Sequence, residues 1–170
     1  CDMSKKTIET KTFSFEAKQF DDAAGTFEGY LSVFDVTDRG GDIVRPGAFR
    51  KTLTERKRFP LRYEHEYTIG YLEGYEDSVG LKVKGQIVLD IQKGRDAYAL
   101  MKADSSLLAM SIGYNVIDSA DMKRGEEYVR ELKELRLLEG SLVTIPMNPE
   151  SVITSVKSLD AASIVEALRN

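Results

Sequence analysis

The segment Gly80-Leu81-Lys82-Val83-Lys84-Gly85-Gln86-Ile87-Val88-Leu89 alternates more regularly than any other part of the chain. Its odd-numbered positions carry leucine, valine, isoleucine and one glycine, whereas lysine and glutamine occupy most of the positions between them. A period of two places successive side chains on opposite faces of a strand. The pattern therefore predicts a β-strand with one buried face, entered through a turn at 76–80.

Extended patterns on both sides of this segment predict further strands. They lie at 7–17, 26–34, 61–65, 68–75, 107–116, 128–135 and 137–145. A turn-like segment at 21–25 indicates that the first two strands pair as an antiparallel hairpin. The glycines and proline of 38–47 are typical of a long ordered loop. Helices are expected at 48–57, 96–103 and 159–168.

Many strands and few helices indicate a mainly β fold of the β+α class. We expect an antiparallel closed barrel of about seven strands surrounded by helices, because closure removes exposed sheet edges. The expected organisation is a tag remnant or flexible N-terminus at 1–6, one barrel domain at 7–157, and a C-terminal helical segment at 158–170 that packs on the barrel.

Composition limits the function. The 170 residues are 42% hydrophobic and 31% charged, which suits one globular domain. The net charge is −4 and the basic residues are dispersed, so we expect no nucleic-acid partner. No apolar run approaches the roughly 18 residues of a membrane span, so we expect no membrane partner.

Metal and cofactor sites are not predicted. The one cysteine, Cys1, excludes an internal disulfide or a multi-thiolate metal site. A carboxylate-only Mg²⁺ or Ca²⁺ site is the main metal option, but acids such as Asp38 and Asp42 are too generic to indicate it. Gly40-Gly41 lacks the lysine and serine or threonine that end a phosphate-binding loop.

The chain has one histidine, His65. Any mechanism that needs an imidazole near neutral pH must use it. It ends the predicted strand 61–65, and strand ends are places where a rigid scaffold presents a side chain to a cleft. The alternative is a packed or exposed histidine without a chemical role.

Ser111 lies on a face of small residues in the predicted strand 107–116. The residues on that face are Ala109, Ser111, Gly113 and Asn115. Small side chains leave room for a peptide to approach the hydroxyl, although a solvent-facing serine is the ordinary alternative. Ser105 and Ser106 compete in principle, but their positions suit a turn before the strand.

Glu139 is an acid within the mostly apolar segment 137–145. Its neighbours at every second position are Leu137, Ser141 and Val143, so its face is not a simple solvent face. A carboxylate there needs a partner or a nearby site, because burying it alone is costly. A surface acid at a strand edge is the alternative.

Together these three side chains can form a catalytic set. A serine hydroxyl becomes a good nucleophile when a base removes its proton, and histidine can then return the proton to the leaving amine. A third group holds the imidazole in the correct tautomer. Since the chain has no second histidine, that group must be an acid, a carbonyl or an amide.

Successive segments between 26 and 155 resemble one family in order and spacing. They are Phe27-Glu28-Gly29-Tyr30-Leu31-Ser32-Val33-Phe34, Asp38 with Gly41-Asp42-Ile43-Val44, Pro46-Gly47-Ala48-Phe49, Leu61-Arg62-Tyr63-Glu64-His65, Ile69-Gly70, Gly80-Leu81, Ser111-Ile112-Gly113-Tyr114, and Leu138-Glu139-Gly140-Ser141-Leu142-Val143-Thr144-Ile145-Pro146. The chain resembles the tailed-phage prohead, or capsid-maturation, serine protease family, whose fold is related to the herpesvirus assemblin protease.

The resemblance implies catalytic roles for three residues. Ser111 matches the nucleophile and His65 the general base. Assemblin-type enzymes have a second histidine as the third member, and Glu139 occupies the corresponding place here. The resemblance also implies an assemblin-like barrel.

The implied function is a serine endopeptidase that cleaves scaffold segments of the capsid precursor, and then itself, during prohead maturation. It would act in the host cytoplasm, packaged inside the immature capsid, with the capsid precursor and its scaffold segment as partners and with no cofactor. A homodimer is left open. The alternatives are a non-catalytic capsid-assembly or scaffold-binding protein with the same barrel, and an esterase or amidase that acts on small molecules.

Overall fold

The computed structural model describes residues 9–13, 25–38 and 40–144. The strands are β1 (Glu9–Phe13), β2 (Thr26–Val33), β3 (Asp42–Val44), β4 (Arg58–Tyr63), β5 (Tyr67–Glu76), β6 (Gly80–Ile87), β7 (Ala109–Arg124) and β8 (Glu127–Val143). The helices are α1 (Arg50–Glu55) and α2 (Gln92–Ala103), and a 3₁₀ turn, Ser105–Leu107, leads into β7. The prediction of a mainly β fold with few helices is confirmed.

All eight strands of the described residues belong to one sheet, in the order β1-β7-β8-β4-β5-β6-β2, with β3 pairing to β8 beside this path. Strand β8 organises the sheet. The whole of β7 pairs antiparallel along one edge of β8. On the other edge, β3 pairs parallel with 130–132 and β4 pairs parallel with 140–142. The sheet is therefore mixed.

The predicted closed barrel is wrong, because the sheet is an open half-barrel. Among the described residues, β1 pairs only with β7 and β2 pairs only with β6. Strands β1 and β2 therefore lie at the two ends of the strand order and do not close the sheet. The predicted hairpin of the first two strands is also wrong, because β1 and β2 do not pair with each other. Alternation along a strand identifies its buried face, but it carries no information about which distant strand supplies the hydrogen bonds.

The alternation that predicted β6 is confirmed by burial. Leu81, Val83 and Ile87 face the core, while Lys84 between them is exposed. Gly85 belongs to the buried set for a steric reason: a Cβ atom there would collide with the ring of Phe27 on the neighbouring strand. The glycine therefore allows an aromatic ring to lie across the sheet.

The sheet and helix α2 enclose one apolar core. Its fully buried larger side chains include Phe27, Leu31, Phe49, Leu61, Ile69, Leu72, Leu81, Ile87, Met101 and Tyr114. Helix α2 contributes Ala97, Tyr98 and Met101 to this core, at the spacing of one helical face. The half-barrel is thus stabilised mainly by burial of apolar surface.

Several predicted boundaries differ from the structure. Helix α2 begins at Gln92, before the predicted 96, and α1 covers only the central part of 48–57. The predicted loop 38–47 contains the short strand β3. The separately predicted strands 128–135 and 137–145 form one strand, β8. The predicted helix 159–168 and most of strand 7–17 lie outside the described residues.

Candidate active site

His65 lies in the tight turn between β4 and β5. Glu64 and His65 both adopt left-handed backbone conformations, with φ values of +54° and +57°. The N–H of Glu66 donates to the carbonyl of Tyr63 at 3.0 Å and closes the turn. Left-handed backbone costs an ordinary L-residue about 1 kcal/mol or more. The turn therefore needs compensation from its surroundings.

Strand β8 supplies that compensation. The N–H of Glu64 donates to the carbonyl of Leu142 at 2.8 Å, and the N–H of Thr144 donates to Oε1 of Glu64 at 2.7 Å. The N–H of His65 donates to Oγ of Ser141 at 3.1 Å. These three hydrogen bonds attach the turn to the end of β8 and fix the direction in which the imidazole projects.

Ser111 lies on β7, directly opposite Ser141 of β8. Its strand neighbours Met110 and Ile112 point into the apolar core, so Ser111 projects from the other face of the sheet. The serine is nearly enclosed, with 1% of its surface exposed. Ser111 therefore faces the turn that carries His65.

A β-bulge directs Glu139 to the same face as Ser111. In the pairing of β7 with β8, Gly113 lies opposite Glu139 but the next residue, Tyr114, lies opposite Leu137. Leu138 is thus an extra residue, and it reverses the alternation. Leu137 packs in the core, whereas the Glu139 carboxylate lies on the opposite face with His65. Without the bulge, Leu137 and Glu139 would share one face.

The imidazole of His65 bridges the other two side chains. Its Nε2 lies 2.8 Å from Oγ of Ser111, and its Nδ1 lies 2.6 Å from Oε1 of Glu139. The His65 side chain is 30% exposed and that of Glu139 is 11% exposed. The ring of His65 is therefore within hydrogen-bond distance of both of the other residues selected from the sequence, Ser111 and Glu139.

His65 and Ser111 do not lie on neighbouring strands of the sheet. Strand β8 lies between β7 and β4, and His65 lies beyond the end of β4. The imidazole reaches Ser111 because the turn extends over the end of β8. Because Glu139 lies on the intervening strand, its carboxylate contacts Nδ1 of the ring, whereas Ser111 on β7 contacts Nε2.

Gly113 provides the space that Glu139 occupies. A Cβ atom at Gly113 would lie 2.7 Å from Oε1 and 3.0 Å from Cγ of Glu139. Such separations are much shorter than van der Waals contact. The small face of β7 was predicted to leave room for a peptide, but at Gly113 this room is filled by the acid.

Ser141 is the site residue that the sequence reasoning missed. Its hydroxyl donates to Oε2 of Glu139 at 2.9 Å and accepts the His65 N–H. The signal was present, because Ser141 follows Glu139 by two residues on the same strand and must therefore share its face.

The weaker candidates have other contacts. Asp42 forms a two-point ion pair with Arg130, at 2.9 and 2.8 Å, and its N–H donates to Oδ1 of Asp38. Ser105 and Ser106 lie in the 3₁₀ turn before β7, as predicted. Within the described ranges, no cluster of three or more His, Cys, Asp or Glu side chains is arranged to hold a metal ion.

A cavity of about 450 Å³ lies far from these side chains. Its lining includes Arg50 and Lys57 together with Tyr75 and Glu76, at the end of the β4–β5 hairpin opposite His65. The catalytic candidates do not line it.

Neither helix in the described part of the chain has the length and hydropathy needed to cross a bilayer.

The arrangement can transfer a proton between the Ser111 hydroxyl and the His65 imidazole. A carboxylate accepts hydrogen bonds and cannot donate them when ionised, so a neutral His65 beside it carries its proton on Nδ1. Nε2 is then free to accept the Ser111 hydroxyl proton. Serine, imidazole and carboxylate in this order are the components of nucleophilic acyl transfer.

Known proteins resemble this chain in both sequence and fold. The profile of the caudovirus prohead serine protease family matches residues 11–164. The prohead protease of Enterobacteria phage HK97 is 32% identical over 94% of this chain and 74% of its own length. The capsid assembly protease of bacteriophage T4 has a similar fold, with a TM-score of 0.61 over 81% of this chain and 97% of its own, at 11% identity. The chain therefore belongs to the caudovirus prohead serine protease family.

Proposed function

We propose that this serine protease cleaves the capsid precursor with Ser111 as nucleophile, His65 as general base and Glu139 as the orienting acid. The observation that carries the proposal is the position of the His65 ring, with Nε2 at 2.8 Å from the serine hydroxyl and Nδ1 at 2.6 Å from the carboxylate. Both distances are those of good hydrogen bonds.

In the proposed mechanism, Oγ of Ser111 attacks the carbonyl carbon of the scissile peptide bond while its proton moves to Nε2 of His65. The tetrahedral intermediate collapses when that proton passes from Nε2 to the leaving amine, which breaks the C–N bond. Water then repeats the sequence on the acyl-enzyme and releases the new carboxyl end. Glu139 keeps the Nδ1 proton in place and stabilises the imidazolium formed in each half-reaction.

The substrate assignment rests on the relatives. The HK97 relative is a prohead protease, and the T4 neighbour is a capsid assembly protease. For this chain we propose cleavage of the scaffold segment of its own capsid precursor, followed by self-cleavage, inside the immature capsid in the host cytoplasm. The alternatives from the sequence, a non-catalytic assembly protein and a small-molecule esterase, predict different results with the same precursor.

The test is to mix purified capsid precursor with the protease and to follow the fragments by gel electrophoresis and mass spectrometry. Wild-type protein should release scaffold fragments, and Ser111→Ala should release none. Ser119→Ala is the matched control, because Ser119 is an exposed serine on the same strand. A fluorophosphonate should modify Ser111 and no other serine.

Two results would reject the proposal. Continued precursor cleavage by Ser111→Ala would exclude Ser111 as the nucleophile. An unmodified precursor after incubation with wild-type enzyme, together with hydrolysis of small esters, would support the esterase alternative instead.

A further inference from the structure

The hydroxyl of Ser141 contacts both Glu139 and the backbone of His65, in addition to the direct contact between the carboxylate and the imidazole. It donates to Oε2 of Glu139 at 2.9 Å, the oxygen that does not face the imidazole. It also accepts the backbone N–H of His65 at 3.1 Å. One hydroxyl thus contacts both the acid and the backbone of the base.

The direction of these hydrogen bonds follows from chemistry. A hydroxyl has one proton to donate, and its oxygen can accept from other donors. An ionised carboxylate can only accept and a backbone N–H can only donate, so the Ser141 proton points to Glu139 and its lone pair points to His65. Both roles are used at once.

Burial makes this contact difficult to replace. Ser141 is 0% exposed, and it lies between β7 and β4 in the centre of the sheet. A hydroxyl removed from this position leaves Oε2 of Glu139 without that donor in a buried setting. An unsatisfied buried group of this kind is costly, and more so when it is charged.

We propose that Ser141 is a positioning residue that keeps the Glu139 carboxylate and the His65 turn in fixed relative positions, so that Oε1 stays directed at Nδ1. This inference rests on the proposed roles of Ser111, His65 and Glu139. The hydroxyl of Ser141 bonds to the acid and to the backbone of the base, so it acts through these two residues. It acts by restricting the rotation of the carboxylate and by satisfying the N–H of a residue in left-handed backbone.

The kinetic test is Ser141→Ala, assayed on capsid precursor under saturating and limiting substrate. Losing one hydrogen bond to a charged group should lower kcat by about 10- to 100-fold while KM stays within about twofold. Ser141→Cys is the second variant, because a thiol fills the space and is a weak donor. It should show a loss of the same order.

Ser32→Ala is the matched control. Ser32 is also 0% exposed and lies in a strand, but its Oγ has no hydrogen-bond partner in the described structure. Deleting that hydroxyl removes the same atom from an equally buried position. Precursor cleavage by Ser32→Ala should equal that of the wild type.

A spectroscopic measurement separates positioning from a general loss of structure. Because His65 is the only histidine, ¹⁵N-labelled histidine reports on this ring alone. Wild-type protein should show one Nδ1–H tautomer with a downfield proton. In Ser141→Ala and Ser141→Cys that proton should shift upfield or broaden, whereas Ser32→Ala should leave it unchanged.

The outcomes distinguish this inference from the proposed function. If Ser111→Ala is inactive while both Ser141 variants keep wild-type kcat and an unchanged ring signal, the positioning role is wrong and the triad stands. If their activity falls only in proportion to the unfolded fraction, the role of Ser141 is structural and the inference is again wrong. Cleavage by Ser111→Ala would reject the triad itself.

Discussion

Nδ1 of His65 lies 2.6 Å from Oε1 of Glu139, although 74 residues separate them in the chain. The contact depends on two local irregularities, the left-handed turn that carries the histidine and the bulge at Leu138 that turns the acid to the same face. Neither irregularity is needed for a regular hairpin or a regular strand. Both are needed to bring this carboxylate to this ring.

Glu139→Gln should slow precursor cleavage and leave the fold intact. The amide has nearly the same shape as the carboxylate, but it cannot stabilise an imidazolium and it can favour the wrong tautomer. We expect a loss of about 10- to 10⁴-fold in kcat, smaller than that of Ser111→Ala. Glu127→Gln, at an exposed position on the same strand, is the control and should have wild-type activity. Undiminished cleavage by Glu139→Gln would assign the third role to another group.

Gly113→Ala should impair activity through Glu139 alone. The added Cβ would lie 2.7 Å from Oε1, so the carboxylate must move away from the imidazole. In a double-mutant cycle, the alanine should therefore cost much less in a Glu139→Gln background, where the acid has already been lost. The precursor cleavage rates of the wild type, the two single variants and the double variant give the coupling energy between the two positions. Equal losses in both backgrounds would mean that Gly113 acts independently of the acid.

Glu64→Gly should be more stable than Glu64→Ala by about 1 kcal/mol, because glycine alone adopts the left-handed backbone without a steric cost. Both variants lose the hydrogen bond from Thr144 to the Glu64 side chain, so their difference isolates the backbone term. Urea denaturation of each measures it. Equal midpoints and slopes would indicate that position 64 leaves the left-handed region in solution.

Tyr30→Phe should change the dependence of stability on pH. The Tyr30 hydroxyl, at 2.6 Å, together with the N–H groups of Gly80 and Val79, holds the pKa of Asp77 below its usual value of 3.8. A carboxyl whose pKa is lower in the folded state stabilises the fold above its unfolded pKa, and this contribution is lost as the pH falls through the folded pKa.

Tyr30→Phe should therefore have a lower unfolding free energy than the wild type above about pH 4. This difference should become smaller as the pH falls below about 4. Denaturant unfolding of variant and wild type between about pH 2 and 7 measures this deficit. Tyr75→Phe, an exposed tyrosine on β5, is the control and should show no such narrowing. A deficit that is constant across the range would show that the hydrogen bond does not act through the Asp77 charge.

The sequence predicted the strands better than their arrangement. Alternation in β6 reflects one buried and one exposed face, a local property that each residue carries. Pairing is not local: β1 lies beside β7, and β8 pairs with three strands. Those partners are selected by packing of the whole core, so neither the open sheet nor its parallel pairs could be read from any one segment.

The site shows the same division. Histidine, serine and a lone acid in an apolar strand could be selected by residue type, and they lie close together. Their roles stay predictions. The bulge at Leu138 was hidden because a single extra residue leaves almost no trace in an apolar run. Ser141 could have been found from its spacing to Glu139, since residues two apart on a strand share a face.

The parallel contact between β4 and β8 also bears on when the enzyme becomes active. A ribosome makes His65 and Ser111 before it makes Glu139 and Ser141, and the acid reaches the ring only when β8 inserts between β7 and β4. Such non-local pairing is a slow step in folding, since a long loop must close before the contacts form. A chain in which β8 has not yet inserted therefore lacks the contact between Glu139 and His65. Under the proposed mechanism, the orienting acid is in place only once the sheet is complete.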